Sequence, residues 1–560
     1  MSRPIRGRVP TAYERVAYRL ILASVLVPIV ATVLVLNARD WWPTNDDAFT
    51  AMAMRDIWTG HPRVMGPWAS TLGFTGVYPH HPGPALYYVT SIGAVPFGFS
   101  ALGILVGVAL VNGITATATV QVGHRLGGLS GAVAAAFAAL VTALHIGVGL
   151  LFRPFNPFPP LLMILLMLFV ATEFVGGRRE RWPVFALAGT IALQSHLSYG
   201  YLVVGLTLVL LVVGARAWRR ERDAWWPARG WLPHGVSRTR LSRSMWLCVV
   251  ATALLWLPVV IELLTYHPNN FSSLIDQMRI KTLPGVARPD VDRFEQIAKG
   301  MVPHASGAAA KVIATLGTAA LLPVAWGRRV PGTQRALTMA ARIALVGIAL
   351  FVIQIVMVPH TAYFAEPWMV AAGAPVGAFG LVVLLGYAVA RVRMALSRRW
   401  IRPPLIGTAA VAACALGVSG LVLTAHATTT SEGEIAVGRD VRAVERQIVD
   451  AMPQWPAADG SARSIAVHGS GLGPVFEISP SLGLALRNDG YDVYLPPAIQ
   501  GHDDTAFRSS DRAPKDAVRV VVLWLNDETT EITAPEDAQA MGTVHQGDNE
   551  FRIYLVPPEE

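Results

Sequence analysis

The sequence predicts an α-helical polytopic membrane protein of about eleven transmembrane helices, followed by a small α/β domain at its C-terminal end. Three observations carry this. Over 560 residues, 53% of side chains are apolar, only 15% are charged and the mean hydropathy is +0.44, which excludes an ordinary soluble globule. Apolar stretches of membrane length recur from residue 18 to residue 425. From about residue 427 they stop, and acidic side chains outnumber basic ones by roughly two to one.

A hydrocarbon core about 30 Å thick needs roughly 20 apolar helical residues. The candidate spans are 18–36, 100–121, 129–149, 158–175, 183–195, 199–215, 246–264, 309–326, 338–357, 367–390 and 404–425. Residues 183–215 are divided in two because QSHLS, 194–198, would otherwise lie in mid-membrane without partners. Basic residues in short loops stay cytoplasmic. With this count the basic segments all fall on one side: Arg3 to Arg19, Arg125, GRRERW (177–182), the 216–231 region, 326–335 and 391–404. The N-terminus is then cytoplasmic in a multi-pass protein of the cytoplasmic (plasma) membrane. The first span, lacking a small-residue cleavage site, is a retained anchor. The net charge of +9 reflects these loops, so nucleic acid is not an expected partner, whereas membrane lipids are. Cys248 and Cys414 both lie inside spans and indicate neither a disulfide framework nor a metal site.

The chain divides at residue 426 into a membrane domain, 1–426, with a long first outer loop at 37–99, and an extracytoplasmic domain, 427–560. In the latter, ARSIAVHG, GYDVYLP, RVVVLWL and EFRIYLV have the character of short strands, and VGRDVRAVERQIVDAM and PSLGLALRNDG of helices. The run HGSGLGP after the first strand lacks the spacing of a dinucleotide fingerprint and is a strand-to-helix loop.

The candidate chemistry lies in the outer loops. Asp46 and Asp47 follow the first span and open AFTAMAMRDIW, which predicts an amphipathic helix whose N-terminal dipole suits the acids. Paired carboxylates raise each other's proton affinity, which suits one of them to act as a base. Arg55, His80, His81, Arg153 and His196 fall on outer loops or span ends. Arginine's planar fork matches phosphate oxygens, and histidine hydrogen-bonds or carries charge. Asn156, Gln194, His267, Asn269, His360 and Tyr363 are further candidate substrate contacts. Trp41, Trp42, Trp58, Trp68, Tyr78, Tyr87 and Tyr88 crowd the first outer loop as interfacial anchors, with sugar stacking compatible. ALYYVTSIGAVPFG is too short to span and is expected to lie along the outer interface.

Asp46, Asp47, Arg55 and Gly60, then His81, Pro82, Tyr87 and Tyr88, resemble the first outer loop of the GT-C glycosyltransferases, nearest the protein mannosyltransferase and aminoarabinose transferase branch. HHPGPALYY, FNPF, QSHLSYGY and HPNNFSSL resemble a variant found in actinobacterial envelope glycosyltransferases. The resemblance covers the first half of the spans and weakens in the second. It implies Asp46 as catalytic base, a polyprenyl-phosphate mannose or decaprenyl-phosphate arabinofuranose donor, and an envelope glycan, lipid or protein acceptor. Where relatives often carry a second acid this chain has Asn156, which favours transfer without a divalent metal or other cofactor. A sugar-lipid transporter or flippase is the competing class, and a non-catalytic role in envelope assembly is a third. Transporters place ionisable residues at mid-span, whereas Glu173 and Glu262 here lie near span ends.

Overall fold

The computed structural model describes residues 11–69, 79–147, 153–225, 242–279, 292–302, 306–327, 333–357, 370–397, 432–454, 463–469, 478–496, 508–525 and 536–558. The apolar part forms α1 (Ala12–Ala38), α2 (Asn45–Asp56), α3 (Ala85–Ala94), α4 (Ala101–Ile146), α5 (Leu161–Val175), α6 (Trp182–Ser195), α7 (Gly200–Trp225), α8 (Arg243–Thr265), α9 (Asn270–Arg279), α10 (Arg293–Met301), α11 (Gly307–Trp326), α12 (Thr333–Met357) and α13 (Gly373–Ser397). Among the described residues seven helices are long and apolar enough to cross a membrane, and the chain is a multi-pass membrane protein. The expected span at 404–425 lies outside the described residues, as does Cys414; every other expected span falls on one of these helices.

α4 holds two of those spans. Gly127 and Gly128 leave helical geometry, Gly128 with φ 61° and ψ −147°, a conformation that side chains with a Cβ avoid. The helices on either side meet backbone to backbone, since a Cβ on Gly131 would lie 2.0 Å from the Gly123 carbonyl oxygen. α5 and α6 have 15 and 14 residues, about 22 Å each, less than a full hydrocarbon core. The irregular chain beside them is buried, so its polar groups need protein partners. They find them: Asn156 Nδ2 donates to the Ser195 carbonyl at 2.9 Å, and the Tyr199 hydroxyl donates to the Pro157 carbonyl.

Contacts sort the loops into two ends. At one end Arg125 bonds Glu173 at 2.9 Å and Glu180 at 2.6 Å, Arg178 donates to the Arg125 carbonyl, and His124 packs edge-on against Tyr18 of α1. Residues from three of the basic segments therefore converge there. At the other end the chain around Asp47, His81, Arg153, His196 and Asn270 comes together.

Two local expectations change. α3 is seated rather than resting on a surface: Ala85, Leu86, Tyr87, Thr90, Ser91 and Ala94 are buried, leaving Ile92 and Phe97 exposed. α2 is buried around most of its circumference, because the C-terminal domain covers the face that would otherwise meet solvent.

That domain comprises α14 (Glu432–Ala451), β1 (Ser464–Gly469), α15 (Ser479–Asn488), β2 (Asp492–Tyr494), β3 (Val518–Trp524), β4 (Gln539–Gln546) and β5 (Asn549–Val556). Its sheet has the order β2-β1-β3-β5-β4, with β1 parallel to β2 and β3, and β5 antiparallel to β3 and β4. Strand β4 was not expected. A register shift between Ala540 and Gly542 puts its inward residues, Met541 and Val544, three apart and breaks the alternation by which strands are recognised. α14 packs on β4, and α15 packs on α2. One apolar core runs without interruption from α1 to β5. The expected domain boundary at 427 and most of HGSGLGP fall outside the described residues.

Candidate active site

The entry to α2 is unusual locally. Trp41 and Trp42 are buried, Thr44 is extended without a side-chain cap, and Asn45 begins the helix with φ 50°, a left-handed conformation uncommon for a residue with a Cβ. Asp46 and Asp47, consecutive in the first turn, project about 100° apart and so meet different surroundings.

Asp47 is buried, 1% exposed. Its Oδ2 accepts from Arg153 Nε at 2.5 Å, and its Oδ1 is buried with no hydrogen-bond partner among the described residues. Burial pushes the Asp47 carboxyl up to about 7, against the pull of Arg153 and with the help of Glu434 and Asp46. Burial works against the charge of Arg153 too, but Asp47 and Glu434 more than offset it, so the guanidinium is held charged. Arg153 sits on the irregular chain between α4 and α5, and its second contact, through Nη1, is with the Glu434 carboxylate at the start of α14. Glu434 is a site residue that the sequence does not announce, because it lies far along the chain in a different domain.

Asp46 is exposed and makes no hydrogen bond or ion pair among the described residues. It is accessible and desolvated at once: water reaches the carboxylate, yet protein crowds it enough to raise its pKa to about 6, with Arg153 acting in the opposite direction. Accessibility matters more for chemistry, since an acceptor must reach the carboxylate. The pair thus separates into a buried, Arg-bound acid and an open, unbonded one.

The histidines assemble beside α3. His81 and His196 have ring centroids 4.5 Å apart, the Leu197 amide donates to His81 Nδ1 at 3.1 Å, and His196 Nδ1 lies 2.7 Å from Ser198 Oγ. Burial lowers the His81 pKa well below the ordinary range and that of His196 to about 4, so both rings are neutral near pH 7. In that state they are suited to hydrogen bonding. With Nδ1 accepting, neutral His81 keeps its proton on Nε2.

Other expected contacts hold backbone. Gln194 Oε1 accepts from the Ala85 amide at 3.1 Å, its Nε2 donates to the Leu255 carbonyl at 3.0 Å, and Asn156 serves Ser195 as described. His80 lies beside Asn270, which the sequence did not single out: Asn270 Oδ1 accepts from the His80 amide at 2.8 Å and its Nδ2 donates to the His80 carbonyl at 3.1 Å. Buried Glu262 accepts from the Asn270 amide at 2.6 Å. Asn269 caps α9 through the Ser272 amide at 2.9 Å, and His267 is exposed. His360, Tyr363 and Tyr78 lie outside the described residues.

Arg55 is not brought to the acids. It stands at the far end of α2, about 12 Å along the axis from Asp47, and its Nη1 donates to the Arg487 carbonyl at 2.9 Å and to Asn488 Oδ1 at 2.7 Å. Asp56 beside it contacts Arg487 at 2.7 Å, Arg63 at 3.1 Å and Arg508 at 3.7 Å. Burial opposes the charge of Asp56, but the three guanidinium groups outweigh it and hold its carboxyl below the usual range. Of the aromatics, Trp41, Trp42 and Tyr87 are buried and Trp58 is 57% exposed. Trp42 donates to the Ser481 carbonyl at 3.3 Å and lies under the Arg442 guanidinium, 4.6 Å from its ring centroid. Among the described residues no group of three or more His, Cys, Asp or Glu is placed to hold a metal ion.

Comparison with solved structures decides the architecture. ArnT of Cupriavidus metallidurans bound to undecaprenyl phosphate matches with a TM-score of 0.51 and 14% identity, over 98% of this chain and 98% of that one. The chain shares the fold of that ArnT. The likeness extends through both the bundle and the C-terminal domain. ArnT in the apo state aligns at a TM-score of 0.48 and 14% identity, covering 95% of this chain and 99% of that one. The oligosaccharyltransferase AglB of Archaeoglobus fulgidus, in complex with an inhibitory peptide and a dolichol-phosphate, aligns at 0.41 and 12%, covering 90% and 69%. No family model and no curated protein matches the chain.

Proposed function

We propose that the protein is an inverting glycosyltransferase that moves a sugar from a polyprenyl-phosphate donor to an acceptor hydroxyl, with Asp46 as the base. The observation that carries this reading is Asp46 itself: accessible, free of hydrogen bonds among the described residues, and raised to about 6 beside a buried Asp47–Arg153 pair. A base needs an open carboxylate whose proton affinity approaches working pH, and Asp46 alone of the two acids offers both. The fold shared with an ArnT bound to undecaprenyl phosphate supports the donor class.

In the proposed reaction the acceptor oxygen attacks the anomeric carbon while the bond from that carbon to the phosphate oxygen breaks. Asp46 takes the hydroxyl proton, and the departing phosphate keeps the electron pair. Arg153, charged and buried, is paired with Asp47 and faces the phosphate. Neutral His81 and His196 donate or accept hydrogen bonds to sugar hydroxyls. The end bearing Arg125 and Arg178 faces the cytoplasm, which places the acid pair and the C-terminal domain outside. The sugar is mannose or arabinofuranose and the acceptor an envelope glycan, lipid or protein.

The test is transfer by purified protein from radiolabelled polyprenyl-phosphate mannose and, separately, decaprenyl-phosphate arabinose to a mixed envelope-glycan acceptor. Wild type should transfer from one donor, and Asp46→Asn should lose about a thousandfold in rate. Full activity in a folded Asp46→Asn protein would sink the assignment. Sugar-lipid movement across liposomes without an acceptor would replace it with transport.

A further inference from the structure

The Arg153 guanidinium is occupied from both sides, by Asp47 through Nε and by Glu434 through Nη1. The two carboxylates are not equivalent. Asp47 is 1% exposed and fixed within α2, whereas the Glu434 side chain is 37% exposed and stands on the first turn of α14. A buried pair is costly to break, whereas an exposed partner exchanges its bond for water at little cost. A phosphate that comes to Arg153 therefore meets a site with one fixed, buried carboxyl partner and one replaceable carboxylate.

We propose that Glu434 is a built-in placeholder for the donor phosphate: in the donor-free protein its carboxylate occupies the face of Arg153 that the lipid phosphate takes, and donor binding displaces it. This rests on the reading of Arg153 as the phosphate-facing cation. The exchange is anion for anion on one guanidinium, so the local charge changes little on binding and Arg153 is never left buried without a partner. It also makes the C-terminal domain part of the donor site, because α14 supplies the group that must yield. Glu434 positions Arg153 and does not act on the sugar.

Removing the competitor should tighten binding. Undecaprenyl phosphate titrated into the full-length protein in nanodiscs should bind Glu434→Gln about fivefold more tightly than wild type, the scale of one half-exposed ion pair. In turnover, KM for the donor should fall by a similar factor. Arg153→Gln should weaken binding, and adding Glu434→Gln to it should bring no gain, since the competition needs the guanidinium. If Glu434→Gln is poorly folded, Glu434→Asp, which shortens the reach to Arg153, should show the same direction. Wild type that binds the lipid phosphate with Glu434→Gln binding equally or more weakly overturns the placeholder and leaves the donor assignment standing. Wild type that binds no lipid phosphate overturns both.

Discussion

At the residue scale, two neighbouring aspartates stand in opposite surroundings. Asp47 is buried against Arg153, and Asp46 is open and unbonded. The proposed base Asp46 would act only when deprotonated, so kcat/KM should climb as pH rises through about 6, and this limb should vanish in Asp46→Asn. The same shift has a sign for stability. The folded-state pKa of Asp46 lies above its unfolded value, so its contribution is fully present below about 4 and is lost as pH rises through about 6. Asp46→Asn removes that loss. Its unfolding midpoint should exceed that of wild type at pH 8 and equal it near pH 4, the gain limited by solvent screening to about 1 kcal/mol. An unchanged midpoint at pH 8 would show that Asp46 carries no desolvation cost. The sequence displayed this pair and its adjacency to a helix start, because both are local. It did not display which acid is open, since that depends on Arg153 and Glu434, residues 106 and 387 positions away from Asp47.

At the element scale, the site is held by polar side chains that satisfy irregular backbone. Asn156, Gln194 and Asn270 each bond main-chain groups of a different segment, which keeps the chain around His81 and His196 in one arrangement. Asn270→Ala should cost about 2–3 kcal/mol in thermal unfolding, because it removes the two hydrogen bonds that the buried Asn270 side chain makes to the His80 amide and carbonyl. Asn269→Ala, which removes only a helix cap, should cost about 1 kcal/mol. Equal effects would mean that Asn270 is no more than part of the same cap. The two asparagines are indistinguishable in the sequence, since adjacent residues at a helix start differ only in the direction the fold turns them. The short α5 and α6 were legible as apolar runs, and the QSHLS break between α6 and α7 was legible because polar residues in mid-span lack partners.

At the scale of the whole molecule, the C-terminal domain is docked, not tethered. Trp42, Arg55 and Asp56 hold α14 and α15 against α2, and the apolar core is continuous across the contact. Asp56→Ala leaves Arg63, Arg487 and Arg508 facing one another around a lost carboxylate, a change worth about 3–5 kcal/mol when buried. Limited proteolysis should then release fragments of the C-terminal domain from an intact membrane bundle, and transfer should fall with it. Resistance equal to wild type would show that the apolar contact alone suffices.

What the sequence by itself determined is whatever depends on neighbours along the chain: the membrane class, the order of spans, the break between α6 and α7, the acid pair at a helix start and four of the five strands of the terminal domain. Tertiary structure alone decided what depends on distance in space. It took Arg55 from the acids to a domain contact, made His81 and His196 neutral by burial, seated α3 and α2 within the protein, and brought Glu434 to Arg153. The physical reason is that hydrophobic periodicity and helix-end chemistry are local, whereas desolvation and ion pairing are set by whichever remote segment completes the shell around a charge.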